Sequence, residues 1–116
     1  MAYITIHRGT RHIGGCVTEI TTENHCVFID FGDNLPGDTA LSLPIDGLTV
    51  GDGSNSALFF THYHGDHIGR LSEVLPDVPV YMGKTAKAIV KNYAQRADKK
   101  KCPCLSVSKR LSLVYL

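Results

Sequence analysis

The residues best suited to chemistry lie in one short run, Thr61-His62-Tyr63-His64-Gly65-Asp66-His67-Ile68-Gly69. It offers three imidazoles and a carboxylate within six positions. His62 and His64 are two apart, so in an extended chain both rings leave on the same side. Gly65 permits a sharp turn, which places Asp66 at the N-cap of a following helix and His67 in its first turn. The whole set therefore converges on one point. Neutral imidazole with carboxylate suits zinc, and also manganese or iron, better than calcium or magnesium. A chance cluster of surface histidines would not have this order at this place in the chain.

That place is a strand-to-helix junction. Ala57-Leu58-Phe59-Phe60 precedes the run and reads as a buried strand, while Ile68, Leu71, Val74 and Leu75 follow at the spacing of one helix face. Upstream, Tyr3-Ile4-Thr5-Ile6, Cys16 to Ile20 and Cys26-Val27-Phe28-Ile29 read as strands, with turns at Gly14-Gly15 and Thr22 to His25. Together they predict an antiparallel meander. Asp30 closes the third strand and is followed by a loop, Phe31-Gly32-Asp33. From Gly32 to Ser56 the chain is rich in Gly, Pro, Asp, Asn and Ser, with a short strand predicted at Leu48-Thr49-Val50. Such a loop, leading into the metal strand, is where substrate contacts are built.

Val78-Pro79-Val80-Tyr81 reads as another strand. Lys84 to Ala97 is the clearest helix, with Ala86, Ile89, Val90, Tyr93, Ala94 and Ala97 on one stripe. Beyond it Lys99-Lys100-Lys101 is a charge run, and Leu111 to Tyr115 reads as a terminal strand. The predicted organisation is a folded unit over 1–97 and a basic tail over 98–116.

The motif resembles the signature of the metallo-β-lactamase superfamily, metal-dependent hydrolases built as a four-layered αβ/βα sandwich. The resemblance implies that His62 and His64 bind a first metal and that Asp66 and His67 bind a second. The metals are expected to be Zn2+, two per complete site and about 3.5–4 Å apart, with Mn2+ or Fe2+ as alternatives. A shared hydroxide would attack an ester, amide, thioester or phosphodiester, and Asp66 would steer its proton. Asp30 resembles an aspartate that sits behind the metal ligands in this family. Its expected work is to accept a hydrogen bond from a ligand or nearby backbone and so fix orientation. The bland alternative is a solvated strand end.

The family's later histidine, bridging aspartate and final histidine have no counterparts, since the six histidines stand at 7, 12, 25, 62, 64 and 67. The resemblance thus covers about Tyr3 to Ala97 and implies an α/β (α+β) fold. It corresponds to the N-terminal half of the sandwich, mostly antiparallel short strands followed by two helices. Half a sandwich leaves one sheet face without its partner layer. The chain then reads as a fragment or frameshifted product lacking its C-terminal half, or as one member of a homo-oligomer. On ligand count alone these 116 residues are expected to show only background turnover.

Arg70 stands where many members carry a second glycine, a departure that points away from the lactamase and glyoxalase II subgroups. Ile13-Gly14-Gly15-Cys16 and Val80-Tyr81-Met82-Gly83 look similar to ribonuclease J-like members, so RNA phosphodiesters are the leading substrate reading. Small-molecule ester, thioester or lactone hydrolysis is the rival. A reading of another class is a non-catalytic metal- or nucleic-acid-binding remnant.

Composition sets outer bounds. The 116 residues suffice for one small domain, and 43% are hydrophobic and 20% charged, as in ordinary globular proteins. No apolar run could span a bilayer, and the N-terminus lacks the apolar core of a secretory signal, so a cytoplasmic protein without membrane contact is expected. Cys16, Cys26, Cys102 and Cys104 are expected as free thiols. The net charge of +1 divides unevenly: residues 1–83 carry three basic and ten acidic side chains, residues 84–116 nine basic and one acidic. The basic end could approach a polyanion, although a solvated helix face gives the same count.

Overall fold

The computed structural model describes residues 1–11, 13–35, 43–96 and 111–114. One sheet organises them. Its strands are β1 (Tyr3–Arg8), β2 (Val17–Thr21), β3 (Cys26–Ile29), β4 (Ser56–Phe60), β5 (Val80–Gly83) and β6 (Leu111–Val114), in that spatial order. Helix α1 (Gly65–Ile68) lies between β4 and β5, and α2 (Lys84–Arg96) between β5 and β6. The expected α/β class is what the chain forms.

The pairing changes character at β3. β1, β2 and β3 form the predicted antiparallel meander, in which Glu19 faces both Thr5 and Phe28. From β3 onward every pair is parallel, with Phe28 opposite Leu58 and Leu58 opposite Val80. The expectation of mostly antiparallel strands therefore holds only for the first three. A parallel neighbour needs a crossover of a dozen or more residues, and the three later connections all have that length. The helices are accordingly interleaved with the strands rather than placed after them.

Strand alternation gives the sheet two unlike faces. Val17, Phe28, Leu58, Phe60, Val80 and Met82 point to one side and are nearly inaccessible. Ile45, Leu48, Ile68, Leu71, Val74, Val78 and Val90 close over them to form one apolar cluster. On the other side Ile20, Val27, Ile29, Ala57, Phe59 and Tyr81 are only partly covered, and Phe59 stacks on Tyr81 with centroids 4.8 Å apart. Ile4 and Ile6 on that side are 71% and 52% exposed. The open face expected of a half sandwich is present only at β1, where Ile4 and Ile6 lie; from β2 to β5 it is partly covered.

Two local predictions change. Leu48-Thr49-Val50 is a tight turn, because the amides of Leu48, Thr49 and Val50 all bond the Ile45 carbonyl. Leu48 anchors it by burial in the core. The helix predicted from Ile68 to Leu75 is instead two short pieces, α1 and a 3-10 turn at Leu71–Glu73. Their apolar residues still reach the core. The terminal strand is present as β6, and among the described residues no helix is long and apolar enough to cross a membrane.

Candidate metal centre

Because β3 and β4 run parallel, they deliver Asp30 and Thr61 to the same end of the sheet. The Asp30 amide bonds the Phe59 carbonyl at 2.9 Å, after which the backbone turns through φ +62°. That left-handed conformation is uncommon outside glycine, although Asp tolerates it better than most residues. It turns the nearly buried carboxylate back toward β4. Asp30 Oδ1 accepts the Thr61 amide at 2.8 Å, and Oδ2 accepts the Thr61 hydroxyl at 2.7 Å and His67 Nδ1–H at 2.8 Å.

These bonds fix more than position. Thr61 has one hydroxyl hydrogen and gives it to Asp30, so toward His62 Nδ1, 3.0 Å away, its oxygen can only accept. His62 therefore carries its proton on Nδ1, as His67 does. In both rings the lone pair is left on Nε2. One buried carboxylate sets both tautomers, directly for His67 and through Thr61 for His62.

His62, Asp66 and His67 each place a ligand atom within 4.8 Å of the other two, a spacing suited to a shared cation. The His62 and His67 rings lie 3.8 Å apart by centroids, and His67 Nε2 is 3.3 Å from Asp66 Oδ2. His64 stands slightly aside. It is exposed, with its ring 4.8 Å from His62 and edge-on to both His62 and Tyr63. Of the four candidate ligands, three gather closely and the fourth borders them. Neutral nitrogen donors with one carboxylate fit a zinc-type cation.

The cap prediction shifts by two residues. His64, not Asp66, is the N-cap of α1, with φ −69° and ψ 147°, and Asp66 and His67 both lie in the first turn. Gly65 does not supply the turn, since its φ is not positive and a side chain there would meet nothing within 4 Å. The glycine that matters is Gly32. A Cβ on it would sit 1.6 Å from the Asp66 carbonyl oxygen. Its absence lets Phe31-Gly32-Asp33 lie flat on α1, where the Phe31 amide bonds the His67 carbonyl at 2.7 Å and the Asp33 amide bonds that of Gly65 at 2.9 Å.

Thr61 and Gly32 are thus the site residues that sequence reasoning gave no role. Thr61 stands inside the motif, and the cue was a hydroxyl next to a ligand. Gly14, read as a turn, also borders the site, for a Cβ there would lie 3.4 Å from that of Asp66. Cys16 and Cys26 are free thiols away from the cluster; His12, Cys102 and Cys104 lie outside the described residues.

The fold and cluster define a mixed α/β chain with a His/Asp metal-type cluster at the end of parallel strands. Over 62 residues the chain is 34% identical to hydroxyacylglutathione hydrolase from Yersinia enterocolitica serotype O:8 / biotype 1B, a stretch covering 51% of this chain and 22% of that protein. The enzyme of that name from Yersinia pestis strain Pestoides F is 32% identical with the same coverage. The match therefore spans less than a quarter of either relative. The crystal structure of a protein of unknown function from Enterococcus faecalis V583 superposes with a TM-score of 0.62 at 21% identity, covering 97% of this chain and 33% of that one. No protein-family profile matches the chain.

These matches correct one expectation and leave another without support. Arg70 does not point away from glyoxalase II, since hydroxyacylglutathione hydrolase is that enzyme. Arg70 is 4% exposed, with Nε 3.6 Å from Asp33 and Nη1 3.7 Å from Glu73, so it braces the loop behind the site. The ribonuclease J resemblance draws no support from these relatives.

Proposed function

We propose that this chain carries the metal-binding part of the active site of a metal-dependent hydrolase that opens small-molecule thioesters. One observation carries the reading: His62, Asp66 and His67 converge, and the Asp30 network engages Nδ1 of both imidazoles, which leaves Nε2 of each for a cation. The similarity to hydroxyacylglutathione hydrolases supports the thioester over an RNA phosphodiester. His62, Asp66 and His67, with His64 beside them, would hold the cations, two zinc ions in the complete site. When bound, such cations supply Lewis-acid polarisation of a carbonyl and acidify water.

The chain's own groups do the rest. Asp30 and Thr61 hold the imidazoles in the ligating tautomer. Asp66 accepts the proton of the reacting water. Water adds to the acyl carbon, the C–S bond breaks, and the thiolate leaves to be protonated. Gly32 keeps the 31–33 loop against α1, so that Asp66 and His67 stay fixed relative to Asp30.

Cobalt(II) tests the substrate class, because its visible spectrum reports the ligand field whether or not turnover occurs. A hydroxyacylglutathione thioester should shift the spectrum of the cobalt-loaded chain, and a short RNA should not. A shift with RNA alone would overturn the thioester reading.

A further inference from the structure

We propose that β1 is a self-association edge, through which two copies of this chain pair antiparallel about a two-fold axis beside Thr5. The strand lies at the end of the sheet, and among the described residues it is paired on one side only, with β2. Tyr3, Ile4 and Ile6 are 63%, 71% and 52% exposed. An edge of this kind presents unpaired backbone donors and acceptors, and proteins normally guard it with lysine, proline, a bulge or extreme shortness. Tyr3-Ile4-Thr5-Ile6 has no charge and no proline, and it consists of β-branched and aromatic residues that favour extended pairing. The bulge comes only afterwards, between Ile6 and Arg8.

The occupant is a second copy because the segment is complementary to itself. An antiparallel pair centred on Thr5 sets Ile4 opposite the partner's Ile6 and Tyr3 opposite the partner's His7. The two Arg8 side chains then fall at opposite ends, so no like charges meet. Ile4 also lies beside Ile20, which faces Val27, and pairing would join this apolar strip to its counterpart. Docking β1 on a partner's β6 would be head-to-tail and would leave one β1 and one β6 edge able to repeat the contact, whereas β1 on β1 uses both β1 edges and stops at two copies. About five residues per strand make a small interface, so the dimer is weak and concentration-dependent.

Sedimentation equilibrium on the 116-residue chain from micromolar to millimolar concentration tests this. The expected result is a monomer–dimer equilibrium whose association constant falls at least tenfold in Ile4→Lys, with an unchanged circular dichroism spectrum. Residues directly opposite in an antiparallel pair have Cα atoms at disulfide distance. Mild oxidation of Thr5→Cys should therefore link the two introduced thiols, seen by mass spectrometry as the position-5 peptide joined to itself. A monomer throughout, a dimer indifferent to Ile4→Lys with no such link, or an open-ended series of larger species would each overturn the proposal.

Discussion

The Asp30 carboxylate and the His67 imidazole meet at 2.8 Å, Oδ2 to Nδ1, across 37 residues of sequence. Asp30 is nearly buried and takes two further hydrogen bonds from Thr61, so the contact is rigid. A histidine so held presents one defined nitrogen to a cation, with little ordering left to do on binding.

Removing that orientation should weaken metal binding without emptying the site. Asp30→Asn is expected to lower zinc affinity roughly 10–100-fold, the usual cost of losing a group that positions a ligand. Chelator competition measures it, with circular dichroism confirming the fold. Unchanged affinity would limit Asp30 to tying β3 to the Thr61 end of β4, with no part in orienting a ligand.

The Thr61 relay can be separated from Thr61 shape. Thr61→Val keeps the branching but removes the hydroxyl, leaving His62 Nδ1 without its acceptor; a loss of about tenfold in zinc affinity is expected. Thr61→Ser should retain most of the affinity. Equal affinities for Thr61→Val and wild type would show that His62 does not depend on the relay.

Two glycines should respond oppositely to alanine. In Gly32→Ala the new methyl would collide with the Asp66 carbonyl, and a backbone atom cannot swing aside. A stability loss above about 3 kcal/mol is expected in denaturant unfolding. Gly65→Ala meets open space in the first turn of α1, so a change within about 1 kcal/mol is expected. Reversal of this order would mean that the 31–33 loop does not rest on α1 as described.

How much of this was legible in the sequence differs residue by residue. The clustering of His62, Asp66 and His67 could be read because they lie within six adjacent positions, and Asp30 stood out because a carboxylate closing an apolar strand is conspicuous. Thr61 could not, since its role depends on a partner 31 residues away. Parallel pairing escaped for a related reason: the alternation of Ala57 to Phe60 shows which side chains turn inward but not which strand lies alongside. Gly32 looked like ordinary loop composition, and only the approach of the Asp66 carbonyl gives it a purpose. The short α1 was missed because the Ile68, Leu71, Val74 period suits two linked turns as well as one helix.

A second cluster predicts a pH dependence remote from the site. Burial pushes the Glu19 carboxyl up, but hydrogen bonds from Thr21 and His7, the His7 charge and the Cys26 thiol together outweigh it and leave the pKa below its ordinary 4.5. His7 Nε2 lies 2.6 Å from Glu19 Oε2. A depressed carboxyl contributes stability that is present above the unfolded pKa and lost as pH falls through the folded one. Glu19→Gln should therefore melt below wild type at pH 6, and the gap should shrink as pH falls below the ordinary 4.5. A gap that stays constant across this range would show that the Glu19 charge adds nothing.

The most direct test of the account is zinc binding by the chain in competition with a chromogenic chelator at neutral pH, beside His62→Ala, Asp66→Ala, His67→Ala and the double variant His62→Ala/His64→Ala. Wild type should take zinc from the chelator, each single variant should bind at least tenfold more weakly, and the double variant should not compete. Equal zinc uptake by wild type and the double variant would contradict the metal centre, and with it the hydrolase built on it.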